Sequence, residues 1–159
     1  MDVEGVIDEL AKAEGLWTGL DAKTVIGHIH LHVADIDKAE AFYHGVLGFD
    51  KMMDYGPSAG FVSAGGYHHH IGYNTWAGVG APPAPADAVG LRHFEIRLPN
   101  TAELDKVAHR VREAGLQGEE AQGGWLVRDP SQNGVMLIAP AAGEENLSSH
   151  DKVRLTGGD

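Results

Sequence analysis

Cysteine is missing from all 159 residues. Its absence excludes disulfides, zinc-thiolate sites, iron–sulfur clusters and a cysteine nucleophile. Any metal must then be held by imidazole, carboxylate or water, a donor set that favours Mn, Fe, Co, Ni or Zn over Cu(I). Basic residues are scarce too, with 12 Lys and Arg against 23 Asp and Glu for a formal net charge of −11. Such a balance opposes binding to polyphosphate backbones and anionic membranes, so neither nucleic acid nor membrane is an expected partner. Long apolar runs are absent: nowhere do about 18 apolar residues follow one another. The opening MDVEGVIDEL has neither a basic n-region nor an apolar h-region. These absences lead us to expect a soluble, cytoplasmic protein.

What is present is a core and an excess of histidine. An apolar content of 43% is enough for one compact domain or two closely fused modules. Ten histidines occur, most of them in two short stretches, GHIHLHV and GYHHHIGYN. Residues 1–22 read as a leader helix and linker, because Val3, Val6, Ile7, Leu10 and Ala11 form an amphipathic stripe within Asp2 to Glu14 that predicts packing on a neighbour. The segment Val25 to Val33 alternates strictly, which predicts a strand with Ile29, Leu31 and Val33 on one face and His28, His30 and His32 on the other. A helix capped by Asp35 or Asp37 should run to about Leu47, with Ala39, Phe42, Tyr43 and Val46 facing inward and Gly48 ending it. Strands are expected over Phe49 to Tyr55, Ala59 to Ala64 and Tyr67 to Tyr73. Residues 23–76 thus make a βαβββ module.

The module recurs. HIHLHVAD, from His28, matches HFEIRLPN, from His93, and pairs Ile29 with Phe94, Leu31 with Ile96 and Val33 with Leu98. A second helix from Thr101 to about Ala114 follows, then strands over Gly118 to Ala121, Trp125 to Arg128 and Val135 to Ala139. The second module spans 91–140. Between the two lies the linker 77–90, rich in proline, glycine and alanine, and after them a polar tail, 141–159, expected to be loose or to wrap a partner. The fold class is α+β. By position in the repeat, GYHHHIGYN is the closing strand of the first module, where alternation predicts His68 and His70 on one face and His69 on the other.

HIHLHVADI with FYHGVLGF, and the later DPSQNGVMLI, resemble the vicinal oxygen chelate superfamily of glyoxalases, bleomycin and fosfomycin resistance proteins and extradiol dioxygenases. GGYHHHIGYNTW with GHIHLHVAD resembles, more narrowly, the C-terminal half of bacterial catechol-2,3-dioxygenase-like proteins. The resemblance implies that the two modules form an incomplete barrel with a metal on its floor. It places the ligand positions at His28, His70, His93 and Met136, where enzymes of the family commonly have a glutamate in place of Met136. A thioether is a weak, uncharged ligand for a borderline divalent ion. Two arrangements repair the set: a three-histidine site of His28, His70 and His93, or recruitment of Glu95, one pleat from His93, directly or as an orienting partner.

The implied activity is that of a metal-dependent glyoxalase- or dioxygenase-like enzyme, using Fe, Mn, Ni or Zn, on a small catechol, enol or hemithioacetal-like substrate. Position makes His30 or Glu95 the acid–base group, and His32, His68, Tyr73 and Arg97 substrate-lining residues. Plain polar lining is the alternative for these histidines. Phe42 and Tyr43 fall on the helix stripe and are expected in the core. A metal-free, drug-sequestering dimer of the bleomycin-resistance type is the alternative function, and a purely structural half is a third. A homodimer is expected on the prevalence of twofold assemblies.

Overall fold

The computed structural model describes residues 2–12, 18–21, 23–24, 26–85, 87–121, 124–140 and 153–156. The first module contains β1 (Ile29–His32), α2 (Ile36–Glu40), a π-helical turn (Ala41–Val46), β2 (Asp50–Asp54), β3 (Ala59–Ser63) and β4 (Ile71–Asn74), preceded by α1 (Val3–Lys12). The second contains β5 (His93–Arg97), α3 (Thr101–Glu113), β6 (Gly118–Ala121), β7 (Gly124–Arg128) and β8 (Gly134–Ile138), followed by β9 (Val153–Thr156). Strand order is β1-β4-β3-β2 in one sheet and β6-β7-β8-β5-β9 in the other. The β1–β4 and β5–β8 pairs are parallel, while β2–β3, β3–β4, β6–β7 and β7–β8 are antiparallel. The expected α+β repeat is therefore present, and neither sheet closes into a barrel.

Alternation along β1 works as its sequence predicts. Ile29, Leu31 and Val33 are buried, while His28, His30 and His32 are exposed on the other face. Asp35 caps α2 by accepting from the Lys38 backbone N–H at 3.0 Å. Asn100 does the same for α3 through the Glu103 N–H at 2.9 Å. Each cap satisfies a donor that the first helical turn leaves without a partner. Helix α2 continues as a π-helical turn that puts both Phe42 and Tyr43 in the core, and Gly48, at φ +89°, lets the chain reverse into β2.

One continuous core joins the modules, with Leu31, Tyr43 and Ile71 from the first and Phe94, Val111 and Leu137 from the second. Each such side chain contributes about 1.5–3 kcal/mol on burial. Polar bonds cross the same junction. Arg110 of α3 donates to the carbonyls of Val46 and Leu47, both at 2.8 Å, and Tyr43 donates its hydroxyl to Asp129 at 2.9 Å.

Three expectations change. The leader helix buries none of its residues: Val3, Val6, Ile7 and Leu10 are all exposed, because no described element packs on its apolar stripe. Glu14, its expected end, lies outside the described residues, as does Val25. The closing strand of the first module begins at Ile71, and a turn at Gly65 and Gly66 followed by bends at His68 and His70 replaces the expected pleat before it. In the tail, Val153–Thr156 pair antiparallel with β5, with Arg154 opposite Glu95. Unpaired backbone at the β5 edge favours such a strand. Residues 141–152 and 157–159 lie outside the described residues.

Candidate metal centre

The late start of β4 rearranges the histidine stretch. His70 holds its backbone in the sheet, donating its N–H to the Val62 carbonyl at 2.9 Å and accepting from the Ile29 N–H at 2.9 Å. Its ring is engaged with the first module itself: Nδ1 lies 2.9 Å from the Ser63 hydroxyl and 3.2 Å from the Ala64 N–H. Since the backbone N–H can only donate, Nδ1 is the acceptor there, which leaves the ring proton on Nε2 when the imidazole is neutral.

His69 moves the opposite way from the alternation rule. Instead of facing away, its Nε2 lies 3.2 Å from His30 Nε2, and its ring centroid is 4.5 Å from that of His28. The reason is local: alternation holds only where backbone is pleated, and Gly65 and Gly66, at φ +67° and +75°, open a turn before the histidines. His28, His30 and His69 thus form a group whose ligating nitrogens all lie within 4.8 Å of one another. His68 borders the group, with its ring 5.6 Å from His28 and 4.6 Å from His69, and Phe61 lies beneath His30 and His69 at 5.9 and 5.0 Å.

The donor set fits a divalent ion. Two imidazole nitrogens bound tetrahedrally to zinc stand roughly 3.3 Å apart, close to the 3.2 Å between His30 and His69. His28 is exposed, so its ring is not locked by packing, and its ligating nitrogen already lies within 4.8 Å of the other two. Partial burial, followed by the charges of His28, His68, His30 and His70, lowers the pKa of His69 from its ordinary 6.5. That shift keeps it neutral, the form a ligand needs.

Other residues singled out in the sequence stand elsewhere. His93, Glu95 and Arg97 share one half-buried face of β5, on the second sheet, and the Arg97 guanidinium lies 3.5 Å from the Glu95 carboxylate. Met136 pairs with Glu95 across β5 and β8 and is 3% exposed. Among the described residues, His28, His70 and His93 are not gathered at ligand distance. His32 is exposed beyond His30, and its carbonyl accepts from the Asn133 side chain at 3.1 Å. Tyr73 is 1% exposed and stacks on Tyr43 at 5.7 Å, so it stands in the core and not on the histidine face. Its position in register explains this, since it is paired with Leu31 on the inward side. His69 is the residue that sequence reasoning assigned away from the site; the double glycine before it was the available signal that the pleat fails there.

Residues 25–137 match the model of the Glyoxalase/Bleomycin resistance protein/Dioxygenase superfamily. The chain is 52% identical over 131 residues to a catechol-2,3-dioxygenase from Bacillus subtilis (strain 168), covering 82% of this chain and 45% of that protein. It therefore spans less than half the length of this curated relative. Among solved structures, it is similar to a lactoylglutathione lyase from Agrobacterium tumefaciens, with a TM-score of 0.57, 23% identity, and coverage of 75% of this chain and 96% of the other. A glyoxylase/bleomycin resistance protein/dioxygenase domain from Frankia sp. EAN1pec gives a TM-score of 0.58 at 19% identity, covering 76% of this chain and all (100%) of the other. A fosfomycin resistance protein from Listeria monocytogenes gives 0.54 at 18% identity, covering 79% and 94%. At these identities the structural matches speak to the fold, and among the described residues no helix is long and apolar enough to cross a membrane. Repeat, sheet order and family match together establish that the chain belongs to the Glyoxalase/Bleomycin resistance protein/Dioxygenase superfamily.

Proposed function

We propose that this chain carries the metal-binding part of a divalent-metal-dependent enzyme acting on a small oxygen-bearing substrate of the catechol, enol or hemithioacetal kind. The observation that carries the reading is the grouping of His28, His30 and His69 on the exposed face beside β1. We assign the ion to these three imidazoles; the set inferred from family resemblance shares only His28 with it. Fe, Ni and Zn suit imidazole donors, whereas Mn would draw on added oxygen ligands from water or substrate. When bound, such an ion supplies Lewis-acid stabilisation of an oxyanion on the substrate.

The protein's own groups divide the remaining work. His28, His30 and His69 bring their nitrogens within 4.8 Å of one another, with the phenyl ring of Phe61 packed against those of His30 and His69. His68 borders the group without belonging to it and is exposed, so it is the histidine placed to take or return a proton. His32 continues the polar face toward Asn133 and suits substrate contact. With His30 assigned to the ion, the acid–base role expected of it passes to His68. Glu95 and Arg97 offer a paired acid and base on the second module that suits recognition of a polar substrate group.

The test is direct. Protein prepared without a histidine tag is analysed for bound metal by elemental mass spectrometry, then assayed with catechol and O₂ and with a hemithioacetal. About one ion per chain and turnover that disappears on chelation are expected. Failure to retain any of the four metals after reconstitution would sink the reading and favour a metal-free small-molecule binder.

A pH effect follows from His69. Its pKa is lower in the folded chain than the ordinary 6.5, so below that pH the unfolded chain takes up more protons and stability falls with acidification. The melting temperature of the metal-free protein should therefore drop as pH falls from 7 through 6, and less steeply in His69→Gln. Equal slopes in the two proteins would contradict the assigned environment.

A further inference from the structure

A cavity of about 290 Å³ lies where the π-helical turn, the start of β2, β5 and α3 meet. Its wall includes Leu47, Phe49, Ile96, Leu98, Val107 and Leu137. Leu47, Ile96, Val107 and Leu137 are core residues, so the cavity opens from the core side, whereas His28 and His30 lie exposed on the other face of the first sheet. It is thus distinct from the candidate metal centre. Four ionisable residues also border it, His70, Arg97, Glu103 and Arg110, of which Arg97 follows the inward Ile96 along β5 and so turns its side chain to the strand's other face, beside Glu95.

Their charges do not cancel evenly. The Glu103 carboxylate accepts from Lys106 at 2.6 Å in an exposed pair on its own helix. Arg97 has Glu95 at 3.5 Å, a loose contact. Among the described residues no carboxylate lies within ion-pair distance of Arg110. Its Nε and one Nη donate to the Val46 and Leu47 carbonyls, both at 2.8 Å, which spends two of five N–H groups and fixes the guanidinium plane. A chain with formal net charge −11 therefore holds an immobilised guanidinium, without a carboxylate partner, at the edge of an apolar cavity.

We propose that this cavity binds a small monocarboxylate with an apolar ring or branched body, its carboxylate taken by Arg110. The body fills the space between the Leu47 and Phe49 side and the Val107 and Leu137 side. A volume at the lower end of ligand pockets, roughly 300 Å³, admits one ring and not two. A fixed guanidinium favours a planar carboxylate over a hydroxyl, because two parallel hydrogen bonds can form without further ordering of the side chain.

The test uses benzoate as probe and benzyl alcohol as the uncharged control, each titrated into the full chain and followed by methyl and histidine resonances in NMR. Benzoate is expected to shift the Leu47, Leu98, Val107 and Leu137 methyls saturably, with benzyl alcohol at least about tenfold weaker. Arg110→Gln should weaken benzoate at least about tenfold. Ala64→Phe, at an exposed lining residue, should do the same by obstructing the cavity while leaving the unfolding midpoint in place. This second variant decides the matter if Arg110→Gln does not fold. Equal binding of the two probes would overturn the proposal, as would shifts confined to His28, His30 and His69, or benzoate binding unchanged by Ala64→Phe.

Discussion

Replacing His30 or His69 with alanine is expected to weaken Zn²⁺ binding by about 100-fold or more, while His70→Ala leaves it within about threefold. The magnitude follows from coordination chemistry: loss of a partner that merely orients a ligand costs about 10–100-fold, so loss of one of three ligands should cost at least the upper end of that range. The contrast follows from geometry. His30 and His69 meet at 3.2 Å on the exposed face, while the His70 ring is bonded to Ser63 and Ala64. Competition with a chromophoric chelator measures both. His28 belongs to both ligand sets and does not discriminate between them, so the decisive variants are His30, His69 and His70. A large loss in His70→Ala with none in His69→Ala would return the ligand position to the one implied by family resemblance. His30 is exposed and His69 half-buried, and a melting transition recorded for each variant separates loss of a ligand from loss of the fold.

Asp129→Ala should destabilise the chain by about 3–5 kcal/mol, measured by urea unfolding. Asp129 is 1% exposed, and its carboxylate accepts from the Tyr43 hydroxyl, the Ser131 and Asn133 backbone N–H groups and the Asn133 side chain, all at 2.8–2.9 Å. Alanine would leave the buried Tyr43 hydroxyl and three part-buried N–H donors without this acceptor and loosen the turn that carries Asn133 to His32. Tyr43→Phe removes one of the four bonds and should cost about 1–2 kcal/mol. The pair also has a pH signature. Burial first, then the charge of Asp129 and its hydrogen bond, and finally Tyr73, push the Tyr43 pKa well above the ordinary 10.0. The unfolded chain therefore releases its phenolic proton first, and stability falls as pH rises above 10. Tyr43→Phe should flatten that alkaline decline; an unchanged decline would place its origin elsewhere.

Both predictions concern residues whose sequence context was only partly informative. Asp129 sits in DPSQNG, which reads as a turn because Pro, Ser, Asn and Gly suit one. Nothing in that motif announces that the same carboxylate reaches Tyr43 in the other module. Their contact joins residues distant in the chain and exists only once the cores fuse. The His70 ring is a shorter-range case, because its partners Ser63 and Ala64 come within reach only once the chain turns between β3 and β4.

Much of the architecture was legible because it rests on short-range rules. Alternation in HIHLHV assigned Ile29, Leu31 and Val33 to the core and the histidines to the open face, and comparison of the two halves located β5 and its buried Phe94 and Ile96. Asp35 and Asn100 mark helix starts through a mechanism that operates within three residues. The family followed from the order of these pieces.

The site was decided at longer range. Pleating would send His69 away from His30, but the positive-φ glycines Gly65 and Gly66 form a turn just before it, and β4 begins only at Ile71. Past that point periodicity has no authority over side-chain direction. The sequence by itself determined two βαβββ modules, a histidine-lined strand and an apolar interior, because local backbone preference and burial dictate those. Only the tertiary structure decided which three imidazoles meet, that Tyr73 turns inward onto Tyr43, and that Arg110 is pinned beside an apolar cavity. Those outcomes depend on how a turn folds over a neighbouring strand and how two modules share one core, and no window of sequence contains that information.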